Sequence, residues 1–457
     1  MRGRALFYRT NCRLRALQPF ASLPGLVLAV LAAATSGAAA LPAFAEQTSQ
    51  PCTACHVGGF GPQLTPMGRE FKLEGYTMRA GATFTAPVSA MAVASFVNTA
   101  KDQVPPPAPH YATNNNVSLD QANIFVAGGI GEHFGGFSQF TYDGVGRAFT
   151  WDNLDVRAVD RATIFGSDVL YGISFNNSPS VEDVWNTLPA WGFTYTSSSL
   201  APSPAAAPLL DGAFAQTLLG TTAYTWWDMS YYAEAGLYWM PSHEFLNAMG
   251  AGASDILDGV APYFRVAYQK DYGDQNFEVG AFAFFPDQFP GGDRSKGSDR
   301  YSDLGIDASY QYIGDNNDIY QVNARYIYEH QGLGASMLLG NSSHSADFLN
   351  EVKLDGSYYW HNELGGTVSL FDTRGSKDSL LYAGNTALRP DSQGVLFQVD
   401  ATPFGTHPSF LGPRFNVRVG IQYTVYTRFD GGSRNFDGSG RNASDNNTLR
   451  IFTWFAF

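Results

Sequence analysis

The chain has few cysteines, few positive charges and, beyond its first forty residues, no long hydrophobic run. Its three cysteines, Cys12, Cys52 and Cys55, are too few for the disulfide framework of a small secreted domain. After residue 40 no apolar run reaches the ~20 residues that a transmembrane helix needs. With 28 Lys and Arg against 41 Asp and Glu, the formal charge of −13 argues against nucleic acid or anionic lipid as a partner.

The first forty residues have the composition of a secretory signal peptide. The apolar run 26–33 is too short for a membrane anchor. Small residues then provide two A-x-A cleavage sites, one ending at Ala40 and one at Ala45. The leader contains no acidic residue, and its basic residues are Arg2, Arg4, Arg9, Arg13 and Arg15. We therefore predict that the protein is exported.

What the chain has in abundance is aromatic residues, at 14%, and glycine, at 48 residues. In a long exported chain this composition is typical of a β-barrel of the bacterial outer membrane. The last nine residues form an aromatic strand that ends on Phe457, which suits the aromatic girdle at the rim of such a barrel. We predict sixteen strands, at 86–99, 117–129, 134–143, 154–163, 169–176, 214–226, 230–239, 261–271, 275–285, 301–313, 318–330, 346–360, 364–373, 394–403, 414–429 and 447–457.

Period-two alternation gives these strands an apolar face and a polar face. Tyr320, Val322 and Tyr326, for example, alternate with Gln321 and Arg325. A soluble β-sandwich would alternate in the same way and bury its apolar face against a second sheet. Connector length favours the membrane barrel, because connectors after odd-numbered strands are long and those after even-numbered strands are mostly short. An even number of strands places both termini at the periplasmic end.

One connector, 177–213, is much longer than the others. It contains Trp185, Trp191 and a run rich in alanine, proline and serine at 201–208. Three arrangements are open at this point. The connector either folds into the barrel as a constriction, or caps the mouth, or extends from the surface without regular structure.

The sequence Cys52-Thr53-Ala54-Cys55-His56 is the chemical centre of the chain, because it has the C-x-x-C-H spacing of c-type haem attachment. Two thiols at this spacing form thioethers with the two vinyl groups of one haem, and the adjacent histidine supplies an axial nitrogen. A thioredoxin-like pair would need a βαβ context, and a zinc site would need a second pair of ligands. We predict one covalently bound haem c at Cys52, Cys55 and His56.

The residues around this motif resemble the outer-membrane monohaem cytochrome–porin fusions of iron-oxidising bacteria. The resemblance covers Leu-Pro-Ala-Phe-Ala-Glu-Gln-Thr at 41–48, the haem motif, and Pro-Gln-Leu-Thr-Pro-Met-Gly-Arg-Glu-Phe-Lys-Leu-Glu-Gly-Tyr-Thr at 62–77. It continues through short matches at 89–91, 94–96, 108–110 and 119–122. The chain departs from the family pattern at Glu46, where a basic residue is frequent, and at Met67, where phenylalanine is frequent.

The resemblance implies a division into three parts: a signal peptide at 1–40, with 45 as the second cleavage site, a monohaem cytochrome c segment at 41–83, and a porin-like barrel at 84–457. It also implies a function as an electron conduit, located in the outer membrane with the N-terminus in the periplasm or the lumen. Electrons would pass from extracellular Fe(II) or another reductant to a periplasmic c-type cytochrome or other carrier. Two alternatives stay open: a diffusion porin with a haem-bearing plug, and a peroxidase-like haem enzyme. Whether the protein acts as an Fe(II) oxidase is also open.

Other residues are candidates for contacts with the haem or the donor. We predict Met78 as the sixth ligand, with Met67 as the alternative; Met91 is further away along the chain. Either methionine could instead only pack against the porphyrin. Arg69 and Lys72 could pair with the haem propionates or form a solvated face. Loop residues that could touch an arriving metal ion, or be plain loop residues, are His110, His243, His344, Asp255 and Asp258.

Overall fold

The computed structural model describes residues 42–81, 87–407, 409–412 and 415–457. The predicted signal peptide, 1–40, and the predicted boundary between haem segment and barrel at 83 lie outside the described residues. Within the described residues, no helix is long and apolar enough to cross a membrane.

A single antiparallel sheet of sixteen long strands closes into a barrel. The long strands are β1 (Val88–Thr99), β2 (Asn116–Ile130), β3 (Phe134–Asp143), β4 (Ala148–Ile164), β5 (Ser167–Asn176), β6 (Leu219–Trp227), β7 (Tyr231–Trp239), β9 (Val260–Tyr272), β10 (Gln275–Phe284), β12 (Asp299–Ile313), β13 (Ile319–Gly332), β14 (Ala346–Trp360), β15 (Leu364–Gly375), β16 (Ser392–Ala401), β17 (Asn416–Arg428) and β18 (Thr448–Ala456). The first and last strands pair from Met91–Ala456 to Thr99–Thr448, which closes the sheet. The predicted sixteen-stranded barrel is confirmed.

Two local differences from the predicted strands have clear causes. β4 begins six residues earlier than predicted, because a β-bulge opposite Ser138 and Phe140 interrupts the two-residue alternation. β6 begins at Leu219 and not at 214, since Phe214 and Leu218 are buried in a cluster inside the barrel. Two short strands, β8 (Ile256–Leu257) and β11 (Asp287–Phe289), pair with each other between two long connectors and were not predicted.

The alternation of side chains gives each strand an apolar outer face and a polar inner face, as predicted. In β13, Tyr320 and Val322 are exposed on the outside, whereas Gln321 and Arg325 are buried on the inside. The same pattern of an apolar outer face and a polar lumen recurs around the barrel. This is the arrangement of a barrel whose outer surface faces the lipid of an outer membrane. A soluble sandwich would instead bury its apolar face.

The connectors define two ends of the barrel. The turn end carries the connectors 131–133, 165–166, 228–230, 273–274, 314–318, 361–363 and 402–415. The loop end carries the connectors that alternate with them, and most of these are longer. Two of the loop-end connectors contain short helices, α4 (His243–Ala248) and α5 (Gly334–Leu339). β1 starts and β18 finishes at the turn end.

Two pieces of chain fill the lumen. The N-terminal segment, residues 42–81, contains α1 (Pro42–Thr48), α2 (Cys52–Cys55) and α3 (Pro66–Leu73). The inner loop, residues 177–218, leaves the loop end and turns inward, so that Val181 and Leu188 are fully buried. Its Trp185 donates from Nε1 to Gln269 Oε1 of β9 at 2.7 Å. Of the three arrangements open for this connector, the structure has the inward one.

Candidate functional site

The C-x-x-C-H motif forms one helical turn and the residue that follows it. Pro51 precedes α2, and the His56 amide donates to the Cys52 carbonyl at 2.9 Å, which closes the turn. Because of this turn, Cys52, Cys55 and His56 all line one cavity inside the barrel. Both cysteines are free thiols.

Helix α3 supports this turn from behind. Thr65 caps α3 by accepting from the Gly68 amide, and its hydroxyl donates to the Ala54 carbonyl at 2.5 Å. The Thr65 amide donates to the Cys55 carbonyl at 3.0 Å. Gly68 lies so close to this carbonyl that only a residue without Cβ fits there. The Leu-Thr-Pro-x-Gly part of the motif at 64–68 therefore has a structural role in holding the cysteine turn.

Hydrogen bonds from the barrel fix the turn at the turn end of the lumen. Asn362, in a short connector, donates from Nδ2 to the His56 carbonyl at 3.0 Å and accepts from the Gly58 amide at 2.5 Å. Thr402 donates from Oγ1 to the Gly58 carbonyl at 2.7 Å. Arg418 of β17 donates to the Phe60 carbonyl at 3.1 Å. The N-terminal segment is thus bound to the barrel through several strands and turns.

The cavity in front of the motif has a volume of about 330 Å³, within the range of small-molecule sites of roughly 300–1,000 Å³. The N-terminal segment forms one wall, the inner faces of β1 to β4, β17 and β18 form another, and the inner loop forms a third. Much of the lining is aromatic, and these residues are Phe44, Phe60, Phe71, Tyr76, Phe125, Phe137, Trp191, Tyr195 and Trp454.

Burial favours the neutral forms of the three motif residues. Burial lowers the pKa of His56 to about 4, so its imidazole is neutral and can bind a metal; within the described residues its Nδ1 is buried without a hydrogen-bond partner. Burial and the neighbouring Cys52 raise the pKa of Cys55 to about 11, and burial also raises the pKa of Cys52. Zinc and redox-active sites use thiolates. In the described part of the chain these three residues do not form a compact set of ligand atoms. The donor set and the aromatic lining fit a covalently attached haem.

The methionine that lines the cavity is not one of the two that lie nearest to the motif in the sequence. Met91, at the start of β1, lines the cavity, and its Sδ accepts from Trp454 Nε1 at 3.2 Å. Met91 and Cys52 pack against the same hydrophobic cluster. Met67 and Met78 are half-buried and are not among the cavity-lining residues that the structure describes. The sequence signal that points to Met91 is its position near the start of the first barrel strand, at the same end of the barrel as the motif.

Of the two predicted propionate partners, Lys72 lines the cavity and Arg69 does not. Lys72 Nζ donates to the carbonyls of Val181 and Asp183 in the inner loop, at 2.7 and 2.8 Å, and lies 4.6 Å from the centre of the Trp191 ring. Arg69 is buried and donates to Gln311 Oε1 of β12 at 3.2 Å. Its Nε and Nη2 have no hydrogen-bond partner among the described residues. Pairing with propionates stays a prediction for both.

The inner loop is joined to both the N-terminal segment and the barrel wall. Asn186 accepts from the Leu64 amide and donates to the Pro62 carbonyl, both at 3.0 Å. Asp183 pairs with Arg265 of β9 at 3.2 Å, and both side chains are fully buried. These contacts place a layer of protein between the cavity and the loop end.

No family model and no curated protein sequence matches the chain. Solved structures with a similar fold include the outer membrane channel DcaP of Acinetobacter baumannii, at 11% identity and TM-score 0.45 over 83% of this chain and 100% of that one. The anion-selective porin from Comamonas acidovorans is 11% identical with TM-score 0.43, over 81% of this chain and 99% of the porin. Salmonella typhi OmpF in complex with daunomycin is 13% identical with TM-score 0.42, over 81% and 97%. Similarities of this strength carry no statement about function.

Proposed function

We propose that this protein is an outer-membrane electron conduit with one covalently bound haem c. In this proposal Cys52 and Cys55 would bind the haem covalently and His56 would bind its iron. The supporting observation is that the C-x-x-C-H turn opens onto an aromatic cavity inside a closed barrel. When bound, haem would supply a one-electron carrier.

The residues around the cavity would hold and shield such a group. Phe60 and Trp454, whose ring centroids are 5.1 Å apart, belong to the cluster against which Cys52 packs. Trp191 and Tyr195 of the inner loop cover the cavity from the loop end. Apolar burial of this kind excludes water and favours a raised reduction potential.

The arrangement of the lumen supports a conduit over a diffusion porin. A diffusion channel needs a continuous wet passage, whereas here the N-terminal segment and the inner loop meet across the lumen through Lys72 and Asn186. The buried pair of Asp183 and Arg265 holds the inner loop in place. A peroxidase-like activity would need a vacant iron position, and the thioether of Met91 in the cavity wall argues against one.

The partners follow from the two ends of the barrel. In membrane barrels short turns face the periplasm and long loops face outward. The donor, Fe(II) or another extracellular reductant, would then arrive at the loop end. A periplasmic c-type cytochrome or other carrier would accept electrons at the turn end, where Asn362 and Thr402 hold the motif.

Stopped-flow mixing of the purified oxidised protein with Fe(II) under anoxic conditions tests this proposal. We expect fast reduction of the haem, and its reoxidation by a soluble c-type cytochrome. On intact cells the same reduction should not require permeabilisation of the outer membrane. Haem that Fe(II) reduces only after permeabilisation would contradict the conduit and favour a periplasmic role. Liposome swelling by small sugars at the rate of an open porin would favour the diffusion channel.

A further inference from the structure

At the loop end, far from the cysteine motif in sequence, three side chains with metal-binding atoms converge. His344 lies in the connector after β13, Asp347 is the second residue of β14, and Asp378 lies in the connector after β15. One ligand atom from each lies within 4.8 Å of the other two. His344 Nδ1 is 3.5 Å from Asp347 Oδ1 and 3.7 Å from Asp378 Oδ2. His344 is one of the five loop residues that the sequence suggested as contacts for an arriving metal ion, and the structure places it in this cluster.

Asp347 is buried and incompletely satisfied. Only 3% of its side chain is exposed, and among the described residues its Oδ2 has no hydrogen-bond partner. A buried carboxylate oxygen without a donor is costly unless a cation or a donor completes it. Both Asp347 and Asp378 form their ion pair with His344.

The carboxylate of Asp378 is held in place by four hydrogen bonds that it accepts. Its Oδ1 accepts from the amides of Leu380 and Leu381, both at 2.8 Å. Its Oδ2 accepts from Ser342 Oγ at 2.6 Å and the Ser343 amide at 2.8 Å. The carboxylate is pre-organised before any ion arrives.

The site is open to the outside on one face. The side chain of His344 is 53% exposed, whereas those of both aspartates are buried. An ion from the medium would meet the imidazole first and the two carboxylates behind it. Imidazole nitrogen combined with carboxylate oxygen suits first-row transition metals such as Fe(II), Mn(II), Co(II) and Zn(II), whereas Ca²⁺ takes oxygen ligands alone.

We propose that His344, Asp347 and Asp378 form a binding site for one divalent first-row transition-metal ion at the loop end. The site does not need the haem. Under the proposed function the site would be a docking point for Fe(II), and that role rests on the electron conduit. Metal binding itself does not rest on the conduit, so the two proposals can fail separately.

The test uses the oxidised, purified full-length protein and Mn(II), which does not reduce the haem. Loss of the free Mn(II) signal in electron paramagnetic resonance counts bound ions, and isothermal titration calorimetry gives the affinity. We expect one ion per chain. His344→Ala and Asp347→Asn should each weaken Mn(II) binding about tenfold or more, because substitutions at metal sites usually lower the metal affinity by that factor.

His110→Ala is the matched control, because His110 is also an exposed loop-end histidine and, among the described residues, belongs to no such cluster. This variant should leave the Mn(II) affinity unchanged.

Asp378→Asn is less informative, since Asp378 also organises its loop. Heat-modifiable mobility in gel electrophoresis shows whether each variant folds. Absence of Mn(II) binding, or binding that His344→Ala does not weaken, would overturn the metal site and leave His344 as an ion-pair partner. A slower haem reduction by Fe(II) in His344→Ala, with normal reduction by a metal-free reductant, would support the docking role.

Discussion

Gly68 of α3 and the carbonyl oxygen of Cys55 are in such close contact that a Cβ at position 68 would lie 2.2 Å from that oxygen. The contact fixes the distance between the supporting helix and the cysteine turn. We expect Gly68→Ala to displace the turn and to destabilise the N-terminal segment by about 1–3 kcal/mol, the usual cost of overpacking. The yield of covalent haem, measured by haem stain and by mass, should fall.

The matched control for this substitution is Gly81→Ala. Gly81 ends the described N-terminal segment, and a Cβ there would meet nothing within 4 Å. This variant should retain full haem attachment. Equal haem yields in the two variants would show that the contact between Gly68 and Cys55 is not needed for attachment.

The second prediction concerns the thioethers. The double substitution Cys52→Ala/Cys55→Ala should abolish covalent haem and leave the barrel folded, because the strand ladder from β1 to β18 closes without any cofactor. Mass spectrometry and heat-modifiable mobility measure the two properties separately. Stoichiometric covalent haem in the double variant would rule out the attachment site.

The third prediction separates the methionines. Because Met91 lines the same cavity as His56, we expect Met91→Leu to remove a thioether ligand. Its haem should lose the ferric–thioether absorption band, bind added cyanide or imidazole faster, and have a lower potential, since methionine ligation raises the potential. Met78→Leu and Met67→Leu should behave like the natural protein. Loss of the band in Met78→Leu, with Met91→Leu unaffected, would instead establish the ligand that chain distance suggested.

The fourth prediction is a pH dependence that originates at Lys72. Burial, with repulsion from Arg157, lowers the pKa of Lys72 from 10.5 to about 7 in the folded protein. Between about pH 7 and pH 10 the unfolded chain therefore holds one more proton than the folded one, and the free energy of unfolding should rise with pH. Urea unfolding of the haem-free double cysteine variant at several pH values measures this slope.

Lys72→Met in the same background should flatten the slope in that window. If Lys72 pairs with a propionate in the natural protein, its proton is retained there, and the haem-bound form should show a smaller slope than the haem-free form. A slope that is unchanged by Lys72→Met would mean that another group titrates.

The fifth prediction tests the inner loop as a barrier. Replacing residues 178–215 by a short glycine–serine linker removes Asp183 and Asn186, which bind Arg265 and the N-terminal segment. We expect liposomes with this variant to swell in small sugars, whereas liposomes with the natural protein should not. Deletion of 293–297, which is exposed at the loop end, is the control and should not open the lumen. Equal swelling of all three proteins would contradict a barrier formed by the inner loop.

The amino-acid sequence by itself determined the barrel and the grouping of the three motif residues. Strand positions follow from the two-residue alternation of side chains such as Tyr320 and Gln321, which is a local property of an extended chain between lipid and a polar lumen. The C-x-x-C-H spacing is local as well, since a single helical turn from Cys52 to His56 brings the three groups to one cavity. In β4 a β-bulge interrupts the alternation, and the prediction missed the first six residues of that strand.

Only the tertiary structure decided which distant residues meet. Gly58 and Asn362 are 304 positions apart, and no periodicity connects them. Closure of the barrel brings Met91 of the first strand beside Trp454 of the last, and with them to the cavity, while Met78 stays outside its lining. The inward course of the inner loop and the cluster of His344, Asp347 and Asp378 have the same origin. Each depends on how strands and connectors fold against one another around the barrel, and the alternation within any one strand carries no information about those contacts.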